Sequence, residues 1–206
     1  MQQPNAITEI ARDKKRLRQQ LLLKRQQMPH ALMVQASEST ARHFADHPIL
    51  AFSASFSGYI AMRGELDILP VFSLMERYNK KTALPRMEPT SQRLNFHSWQ
   101  LRDPLHLSTH GAREPSPDAA ALVPEIVLVP LIAFDADGFR LGYGGGWYDR
   151  TIEHFRNQQE KTLFIGVAYS GQEVDRLPIE AHDQPLDGIL TERGVSMFTH
   201  LHSRFT

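Results

Sequence analysis

Apolar side chains recur at roughly helical spacing along several parts of the chain. Residues 7–28 form the longest such stretch, and a Met-Pro pair at its end supplies a stop, so we expect a first helix there. A second helix is predicted over residues 31–44, before a His-Pro pair that closes it. Two further helices are predicted over residues 68–78 and 148–157.

Between these helices lie apolar runs that are typical of β-strands. Large and small residues alternate over residues 52–62, as they do in a strand. Residues 126–134 form a continuous run rich in β-branched side chains, which is typical of a strand buried on both faces. Shorter strands are predicted at residues 81–85, 93–99, 162–168 and 188–191.

The alternation of buried strands with helices indicates an α/β fold with a mostly parallel sheet. Pro, Gly, Ser and Thr crowd residues 103–118, which we interpret as a loop or a peripheral connection. The sequence shows no internal repeat and no linker long enough to separate independent domains. We therefore expect a single α/β domain over residues 1–206.

The composition excludes several kinds of chemistry. The 206 residues include 23 basic and 23 acidic side chains, so the formal net charge is +0, and there is no cysteine. The lack of cysteine excludes a disulfide scaffold, a thiolate nucleophile, an iron–sulfur cluster and a cysteine-ligated zinc site. No stretch reaches the roughly 18–20 apolar residues that cross a bilayer, and the first dozen residues lack the apolar core of a secretory signal. We expect a soluble, cytoplasmic protein without a membrane partner.

Five of the chain's 12 glycines fall within nine residues, between the predicted strand at 126–134 and the predicted helix at 148–157. A strand, a glycine-rich loop and a helix N-terminus can bind phosphate, because backbone N–H groups approach the anion and the helix adds partial positive charge. The loop has no lysine for a Walker motif, and Trp147 stands where a Rossmann fingerprint needs Gly or Ala. The alternative is a tight turn that needs glycine for positive φ. The five glycines are Gly138, Gly142, Gly144, Gly145 and Gly146.

Charged side chains flank this loop and fill the first predicted helix. Asp135 and Asp137 precede the glycines. Asp149 falls in the first helical turn after them, where a carboxylate serves either as a Mg²⁺ ligand or as a favourable partner of the helix dipole. Residues 11–28 carry seven basic side chains against one Asp, which indicates a phosphate clamp, a nucleic-acid patch or a solvated helix face. The seven are Arg12, Lys14, Lys15, Arg16, Arg18, Lys24 and Arg25.

Histidines give little support for a metal centre. His43 and His47 are four residues apart, and His200 and His202 flank one leucine, but neither pair has a third ligand at a persuasive spacing. No Gly-x-Ser-x-Gly sequence or other nucleophile elbow is present. These observations leave the glycine-rich loop as the strongest candidate for a functional site.

One long segment resembles the signature of a known family. Residues 129–150, VPLIAFDADGFRLGYGGGWYDR, resemble that of the 5-formyltetrahydrofolate cyclo-ligases, which are also called 5,10-methenyltetrahydrofolate synthetases. Shorter segments agree in order and spacing, so that the resemblance covers roughly residues 10–195. One departure is Trp147, where tyrosine is more usual, so an indole that can still stack replaces a phenol. The shorter segments are residues 14–18, 62–67, 84–86 and 177–183.

The resemblance implies both a fold and an activity. The fold is a Rossmann-like three-layer α/β sandwich, similar to the sugar-phosphate isomerase and CoA-transferase group. The activity is the ATP- and Mg²⁺-dependent closure of 5-formyltetrahydrofolate to 5,10-methenyltetrahydrofolate, with release of ADP and phosphate. Such a route transfers the γ-phosphoryl group to the formyl oxygen, after which the folate's N10 attacks the formyl carbon.

The resemblance also implies roles for individual residues. The implied catalytic residues are Arg140, Tyr148 and Asp149. The implied Mg²⁺ ligands are Asp149 and Asp183. The implied folate contacts are Ile60, Glu65, Tyr143, Gly144, Gly145, Gly146 and Trp147. The implied ATP contacts are Lys14, Lys15, Arg16, Leu17, Arg18, Arg140, Leu141, Gly142, Tyr143, Gly144, Gly145, Gly146, Trp147 and Tyr148.

Two alternatives stay open at the level of the sequence. A sugar-phosphate isomerase or deaminase of the same architecture would use the glycine loop for a substrate phosphate and would need no ATP. An RNA-binding module would use the basic first helix, although the zero net charge and the lack of basic–aromatic stretches count against it. We expect a monomer that acts on a small molecule and binds no nucleic acid.

Overall fold

The fold combines five helices with eleven short strands in the part of the chain, residues 6–108 and 111–198, that a computed structural model describes. The helices are α1 (Ala6–Gln26), α2 (His30–Asp46), α3 (Pro48–Phe52), α4 (Leu69–Arg77) and α5 (Trp147–Asn157). The strands are β1 (Ser55–Ser57), β2 (Lys81–Glu88), β3 (Arg93–Ser98), β4 (His106–Leu107), β5 (Arg113–Glu114), β6 (Ile126–Pro130), β7 (Ala133–Phe134), β8 (Arg140–Leu141), β9 (Leu163–Val167), β10 (Gly188–Thr191) and β11 (Gly194–Met197). A 3₁₀ turn, Ser170–Gln172, follows β9.

Seven strands form the main sheet, in the order β11-β10-β9-β6-β1-β2-β3. Its five inner strands are parallel, and each edge strand is antiparallel to its neighbour. The first strand along the chain, β1, lies in the interior of the sheet, and β2 and β3 follow on one side of it. The chain then returns to β6 on the other side of β1, and β9, β10 and β11 follow outward from there. The direction of winding therefore reverses between β1 and β6. In open α/β sheets, ligands bind beyond the carboxyl ends of the strands at this point.

Helices cover both faces of this sheet. Alternate side chains of β6 therefore enter two separate apolar clusters, one on each face. On one face, Phe56 of β1 packs against Phe44 of α2 and Phe72 of α4, with ring centroids 5.8 and 4.7 Å apart. On the other face, Ile152 of α5 and Phe164 of β9 belong to the second cluster. The predicted α/β fold, with a mostly parallel sheet between helical layers, is confirmed.

Most of the predicted elements lie where they were expected. The ends of α1, α2, α4, α5, β3, β9 and β10 differ from the prediction by no more than two residues, and β2 continues to Glu88. The predicted loop at 103–118 contains the small hairpin of β4 and β5, and β11 was not predicted. None of the helices among the described residues combines the length and the apolar composition that a membrane span requires.

The prediction of one strand over residues 126–134 is wrong. β6 ends at Pro130, and the last two residues of the run form β7, which pairs with β8 in a separate sheet. Between them, the carbonyl groups of Leu131 and Ile132 accept hydrogen bonds from the side-chain amide of Gln172, at 3.2 and 2.8 Å. Because both residues are as deeply buried as the strand before them, hydrophobicity alone could not reveal the break.

Most of the predicted strand over residues 52–62 is also wrong. Its first residue ends α3, a short helix that Pro48 begins at the favoured first position, and only the three residues of β1 pair in the sheet. Beyond β1 the chain turns sharply, because Arg63 and Gly64 adopt positive φ angles of 52° and 77°. The Glu65 N–H closes this turn by a hydrogen bond to the carbonyl three residues earlier, at 3.0 Å. The loop after β1 therefore lies at the end of the sheet.

Gly166, in β9, tests how tightly this core is packed. A Cβ atom at this position would lie 2.6 Å from Leu186 and 2.8 Å from both Ile189 and Leu131. We expect Gly166→Ala to lower the free energy of unfolding by about 1–3 kcal/mol through overpacking, as measured by urea denaturation. Gly171→Ala is the control, because a Cβ atom there meets nothing within 4 Å. Equal unfolding midpoints for the two variants would contradict the packing described.

Candidate active site

A cleft of about 450 Å³ opens where β1 and β6 end. Its walls come from the loop that follows β1, the end of β6, one face of α1, the glycine-rich segment 142–146 and the segment 180–183. It lies where the winding of the sheet reverses, so strand ends that are far apart in sequence meet around one space. The fold thus positions the loops that carry most of the predicted site residues.

Turn geometry explains two of the four glycines in segment 142–146, and side-chain packing explains a third. Gly144 and Gly146 have positive φ angles of 97° and 66°, which glycine adopts without strain. Gly145 has a different constraint, since a Cβ atom there would lie 2.7 Å from the Trp147 ring. At Gly142, by contrast, a Cβ atom would meet nothing within 4 Å. Neither the turn nor the packing therefore requires glycine at position 142, and the lack of a side chain there leaves open space in the cleft.

The N-terminus of α5 faces the same space. Gly146 is its N-cap residue, and no side chain caps the helix there. The first N–H groups of a helix lack partners within the helix, and together with the helix dipole they favour an anion. Trp147 and Tyr148, the first two residues of α5, line the cleft. A phosphate group in the cleft can therefore reach these donors.

Two basic residues of α1, one helical turn apart, also line the cleft. The Lys14 ammonium group contacts the Glu180 carboxylate at 2.8 Å and also contacts that of Asp183. Arg18 donates from Nε to the Gly142 carbonyl at 2.7 Å. These contacts place Arg18 next to the glycine-rich segment and Lys14 next to segment 180–183. The role of both cations in holding phosphates stays a prediction.

Three other residues of α1 predicted to contact ATP do not line the cleft. Lys15 and Arg16 are exposed, and Arg16 forms an ion pair within α1 at 3.2 Å. Leu17 packs against an apolar cluster. Because each residue advances by about 100° around a helix, the positions between Lys14 and Arg18 face in other directions.

Two aspartates predicted to bind Mg²⁺ lie in the cleft. Asp149 accepts hydrogen bonds at Oδ1 from Arg140, at 2.7 Å, and from the Gln184 N–H, at 3.1 Å. Asp183 binds Lys14 through Oδ2. Within the described part of the chain, Oδ2 of Asp149 and Oδ1 of Asp183 accept no hydrogen bond, so each carboxylate keeps one oxygen for a ligand. Mg²⁺ prefers oxygen ligands, and this donor set fits it.

Arg140, predicted to be catalytic, is held between these groups. It donates to Asp149 and, from Nη1, to the Gln184 carbonyl at 2.6 Å. Burial lowers the pKa of Arg140, whereas the nearby charges of Asp149 and Asp183 act in the opposite direction. An arginine remains protonated in proteins, so Arg140 neutralises part of the negative charge of the two aspartates.

Sequence reasoning missed Glu180 and His182, which also line the cleft. Together with Asp183 they place potential metal-ligand atoms within 4.8 Å of one another, and no other group of this kind occurs among residues 6–108 and 111–198. A signal was present, because both residues lie in segment 177–183, one of the segments that carried the family resemblance.

Other residues considered from the sequence have structural roles or lie elsewhere. Asp135 is only 2% exposed, and its two oxygens accept hydrogen bonds from three backbone N–H groups, at 3.0 to 3.2 Å. A ring nitrogen of His43 lies 3.2 Å from a backbone carbonyl oxygen. Neither His43 nor His47 belongs to the group of potential metal ligands in segment 180–183. His200 and His202 lie outside the described residues.

A buried carboxylate, Glu65, forms a second centre of the cleft. It is 5% exposed, and it accepts hydrogen bonds from the Tyr143 hydroxyl at Oε1, at 2.6 Å, and from the Met62 N–H at Oε2, at 2.9 Å. Burial raises the pKa of Glu65, whereas these hydrogen bonds and the charges of Arg25 and Arg63 act to lower it. Glu65, which is predicted to contact the folate, is thus a hydrogen-bond acceptor within the cleft.

The remaining predicted folate contacts also line the cleft. Ile60 lies in the loop after β1, and Trp147 opens α5, where the guanidinium of Arg150 lies 5.6 Å from its ring centre. Tyr148 is next to it, and burial, with a smaller contribution from Glu65, raises the pKa of the Tyr148 hydroxyl well above its ordinary value. This hydroxyl therefore stays protonated at neutral pH.

This α/β fold has a cleft in which a glycine-rich segment, a helix start and two cations surround one space, an arrangement that favours an anion such as phosphate. A buried carboxylate in the same cleft adds a site for hydrogen-bond donors. The chain belongs to the 5-formyltetrahydrofolate cyclo-ligase family, whose sequence profile matches residues 10–192.

Named relatives are similar over most of their length. The 5-formyltetrahydrofolate cyclo-ligase of Escherichia coli (strain K12) is 31% identical over 159 residues, which cover 75% of this chain and 86% of the relative. The enzyme of the same name from Haemophilus influenzae is 32% identical over 161 residues, which cover 76% of this chain and 85% of the relative. The family resemblance predicted from the sequence is therefore confirmed.

Solved structures are similar in fold. The NMR structure of 5,10-methenyltetrahydrofolate synthetase from Aquifex aeolicus matches this chain with a TM-score of 0.77 and 30% sequence identity. The match covers 90% of this chain and 93% of that one. A 5,10-methenyltetrahydrofolate synthetase from Mycoplasma pneumoniae has a TM-score of 0.69 over 87% of this chain and 99% of that one. At 22% identity, the second comparison supports the fold alone.

The burial of Glu65 has a consequence for stability that depends on pH. Because the folded state raises the pKa of this carboxyl group, it holds the proton more tightly than the unfolded chain does, and ionisation costs stability. The stability of the protein therefore falls as pH rises from the unfolded value, near 4.3, through the folded one. Glu65→Gln removes this cost, so its stability relative to the wild type should increase with pH over that range.

Urea denaturation at a series of pH values measures this difference. Glu160→Gln, which removes an exposed carboxylate outside the cleft, is the control for the loss of one negative charge. A difference between Glu65→Gln and the wild type that stays constant across the series would show that folding does not raise the pKa of Glu65.

Proposed function

We propose that this chain converts 5-formyltetrahydrofolate to 5,10-methenyltetrahydrofolate in an ATP- and Mg²⁺-dependent reaction that releases ADP and phosphate. The observation that carries the proposal is the combination, in one cleft, of cations and a helix start that favour an anion with the buried carboxylate of Glu65. The names of the relatives support it, since the Escherichia coli protein is a 5-formyltetrahydrofolate cyclo-ligase and the Aquifex aeolicus protein is a 5,10-methenyltetrahydrofolate synthetase.

The proposed chemistry suits a site that offers no cysteine nucleophile. The formyl oxygen of the substrate is a poor leaving group. Transfer of the γ-phosphoryl group of ATP to this oxygen releases ADP and makes the formyl carbon electrophilic. N10 then attacks that carbon with its lone pair and loses its proton, and the carbon–oxygen bond breaks as phosphate departs. These steps depend mainly on positioning and on charge neutralisation.

The triphosphate would bind between α1 and the start of α5. Lys14 and Arg18 supply two cations there, and Arg18 already contacts the glycine-rich segment through Gly142. The uncapped N–H groups at the start of α5 add donors that favour an anion. Mg²⁺, when bound, would neutralise phosphate charge, and Asp149 and Asp183 would hold it through the oxygens that accept no hydrogen bond.

The pterin would bind at Glu65. A pterin ring presents N–H donors, and an ionised carboxylate offers two acceptor oxygens. Because Glu65 is buried, its hydrogen bonds form in surroundings of low dielectric and are stronger than in water. The loop from Tyr143 to Trp147 would form one wall, and Ile60, Met87 and Leu94 give apolar surface for the rest of the folate.

The basic first helix supports this proposal more than an RNA-binding function. Lys14 and Arg18 face the cleft, and Arg25 is buried. The helix surface that an RNA-binding module would use therefore has three fewer cations than the sequence suggested. The absence of a nucleic-acid partner, a monomeric state, a single domain and a cytoplasmic location stay predictions.

A spectrophotometric assay tests the reaction directly. Purified protein that receives 5-formyltetrahydrofolate and Mg·ATP should form the methenyl product, detected by its ultraviolet absorbance, with one ADP released for each molecule of product. EDTA should stop turnover, and excess Mg²⁺ should restore it. Folded protein that forms no product would refute the proposal, and product without ADP would refute the role of ATP.

Asp149→Asn tests the proposed metal site. The amide oxygen can still accept hydrogen bonds from Arg140 and Gln184, so the variant should fold, with a lower thermal midpoint because the buried Arg140 charge loses its partner. Loss of the carboxylate charge should lower kcat on the order of 100-fold, a typical cost of removing an electrostatic group from a reacting centre. Asp175→Asn, at an exposed position outside the cleft, should keep normal turnover. Near-normal activity of Asp149→Asn would remove Asp149 from the site.

A further inference from the structure

Arg25 is a buried arginine of α1 that has no role in the reaction as described so far. It is 4% exposed, and its guanidinium donates to the Arg63 carbonyl from Nε and Nη2, at 3.2 and 3.0 Å. From Nη1 it donates to the Leu131 carbonyl, at 3.0 Å. Two carbonyl groups from separate loops, after β1 and after β6, therefore fix the orientation of this guanidinium.

A further hydrogen bond connects Arg25 to the cleft. Nη2 of Arg25 lies 2.6 Å from the hydroxyl oxygen of Tyr143, and this oxygen lies 2.6 Å from Oε1 of Glu65. A guanidinium has donors only, so the Tyr143 oxygen accepts from Arg25. The single hydroxyl proton of Tyr143 is then donated to Glu65. The direction of this hydrogen-bond chain, from Arg25 to Tyr143 to Glu65, is thus determined.

Both oxygens of Glu65 act as acceptors in this arrangement. Oε1 accepts from Tyr143, and Oε2 accepts from the Met62 N–H at 2.9 Å. A protonated carboxyl group would need to donate from one of these oxygens, and each of them already faces a donor. These two hydrogen bonds therefore favour the ionised form of Glu65, against the opposing effect of burial, and hold its plane in one orientation.

We propose that Arg25 and Tyr143 are positioning residues that keep Glu65 ionised and oriented as the acceptor for the N–H groups of the pterin ring. The inference rests on the proposed function, because it concerns the same folate contact. Arg25 acts through Tyr143, and the Tyr143 hydroxyl acts through Glu65, whereas the Tyr143 ring belongs to the wall proposed for the pterin. The loss of either residue should therefore weaken the binding of the folate and leave the binding of ATP unchanged.

Charge supports the same assignment. Burial raises the pKa of Glu65, and the positive charges that oppose this effect are those of Arg25 and Arg63. Arg63 is exposed, so water and salt screen its charge, whereas the buried Arg25 is screened less. Within residues 6–108 and 111–198, four tyrosines also face Glu65, and their raised pKa values keep them neutral at neutral pH. They are Tyr59, Tyr143, Tyr148 and Tyr169.

Kinetics of Arg25→Met, Tyr143→Phe and the double variant test the proposal. Lys24→Met is the matched control, because Lys24 is an exposed neighbour in the same helix. Each single variant should raise the KM for 5-formyltetrahydrofolate by about 10- to 100-fold, the effect of losing a hydrogen bond to a charged group, without changing the KM for ATP. The acid limb of kcat/KM for the folate should move to higher pH.

The double variant distinguishes one hydrogen-bond chain from two separate contributions. If Arg25 acts only through Tyr143, the double variant should be no worse than the more affected single variant, because coupled residues are not additive. Additive effects, an unchanged KM for the folate, or an equal rise in the KM for ATP would overturn the proposal. Tyr143→Phe keeps the aromatic ring, so it provides the test even where Arg25→Met fails to fold.

A titration of the ligand-free protein separates this proposal from the proposed function. With ¹³C-labelled glutamate carboxyl groups, the NMR signal of Glu65 is assigned by its loss in Glu65→Gln. Arg25→Met and Tyr143→Phe should each raise the pKa of Glu65 by about one unit or more, and Lys24→Met should not. Absence of this shift overturns the hydrogen-bond chain whatever the activity is. A clear shift in a protein without cyclo-ligase activity supports the chain and refutes only the proposed function.

Discussion

The two carbonyl groups that follow β6 have no strand to pair with, and the site depends on how they are satisfied. A buried carbonyl group requires a hydrogen-bond donor. Arg25 of α1 and Gln172 of the 3₁₀ turn both donate to Leu131, and Gln172 also donates to Ile132. This requirement holds α1 against the end of the sheet, where the winding reverses. With α1 in that position, Lys14 faces the cleft and Arg25 reaches the loop after β1.

Local patterns explain why much of this fold could be predicted from the sequence. The glycines of segment 142–146 could be predicted as a candidate phosphate site because a buried strand precedes them and a helix follows. The break after Pro130 could not be predicted, since Leu131 is as apolar as the strand before it, and its partner Gln172 lies 41 residues further along the chain. Arg25 was missed for a similar reason. A charged residue in a basic helix is most simply interpreted as solvated, and only tertiary contacts show that it is buried.

The formal neutrality of the chain conceals charges that are paired within the cleft. Lys14 contacts Asp183 and Arg140 contacts Asp149 before any ligand binds. Paired charges lose less free energy than single charges when water is excluded from them. In the proposed reaction, a triphosphate brings negative charge to the cations, and Mg²⁺ brings positive charge to the carboxylates. The site can therefore remain close to neutral when its ligands enter together.

Tyr143 lies between Gly142, whose carbonyl binds Arg18, and Gly144, where a Cβ atom would lie 3.5 Å from the same guanidinium. The segment that binds Arg18 is therefore also the segment that places a hydroxyl group on Glu65. In the proposed reaction, a triphosphate that bound Arg18 would restrict this segment and with it the hydroxyl group on Glu65, so the two substrates would not bind as independent events. Thermodynamic linkage makes such an effect mutual: the factor by which ATP changes the affinity for the folate equals the factor by which the folate changes the affinity for ATP.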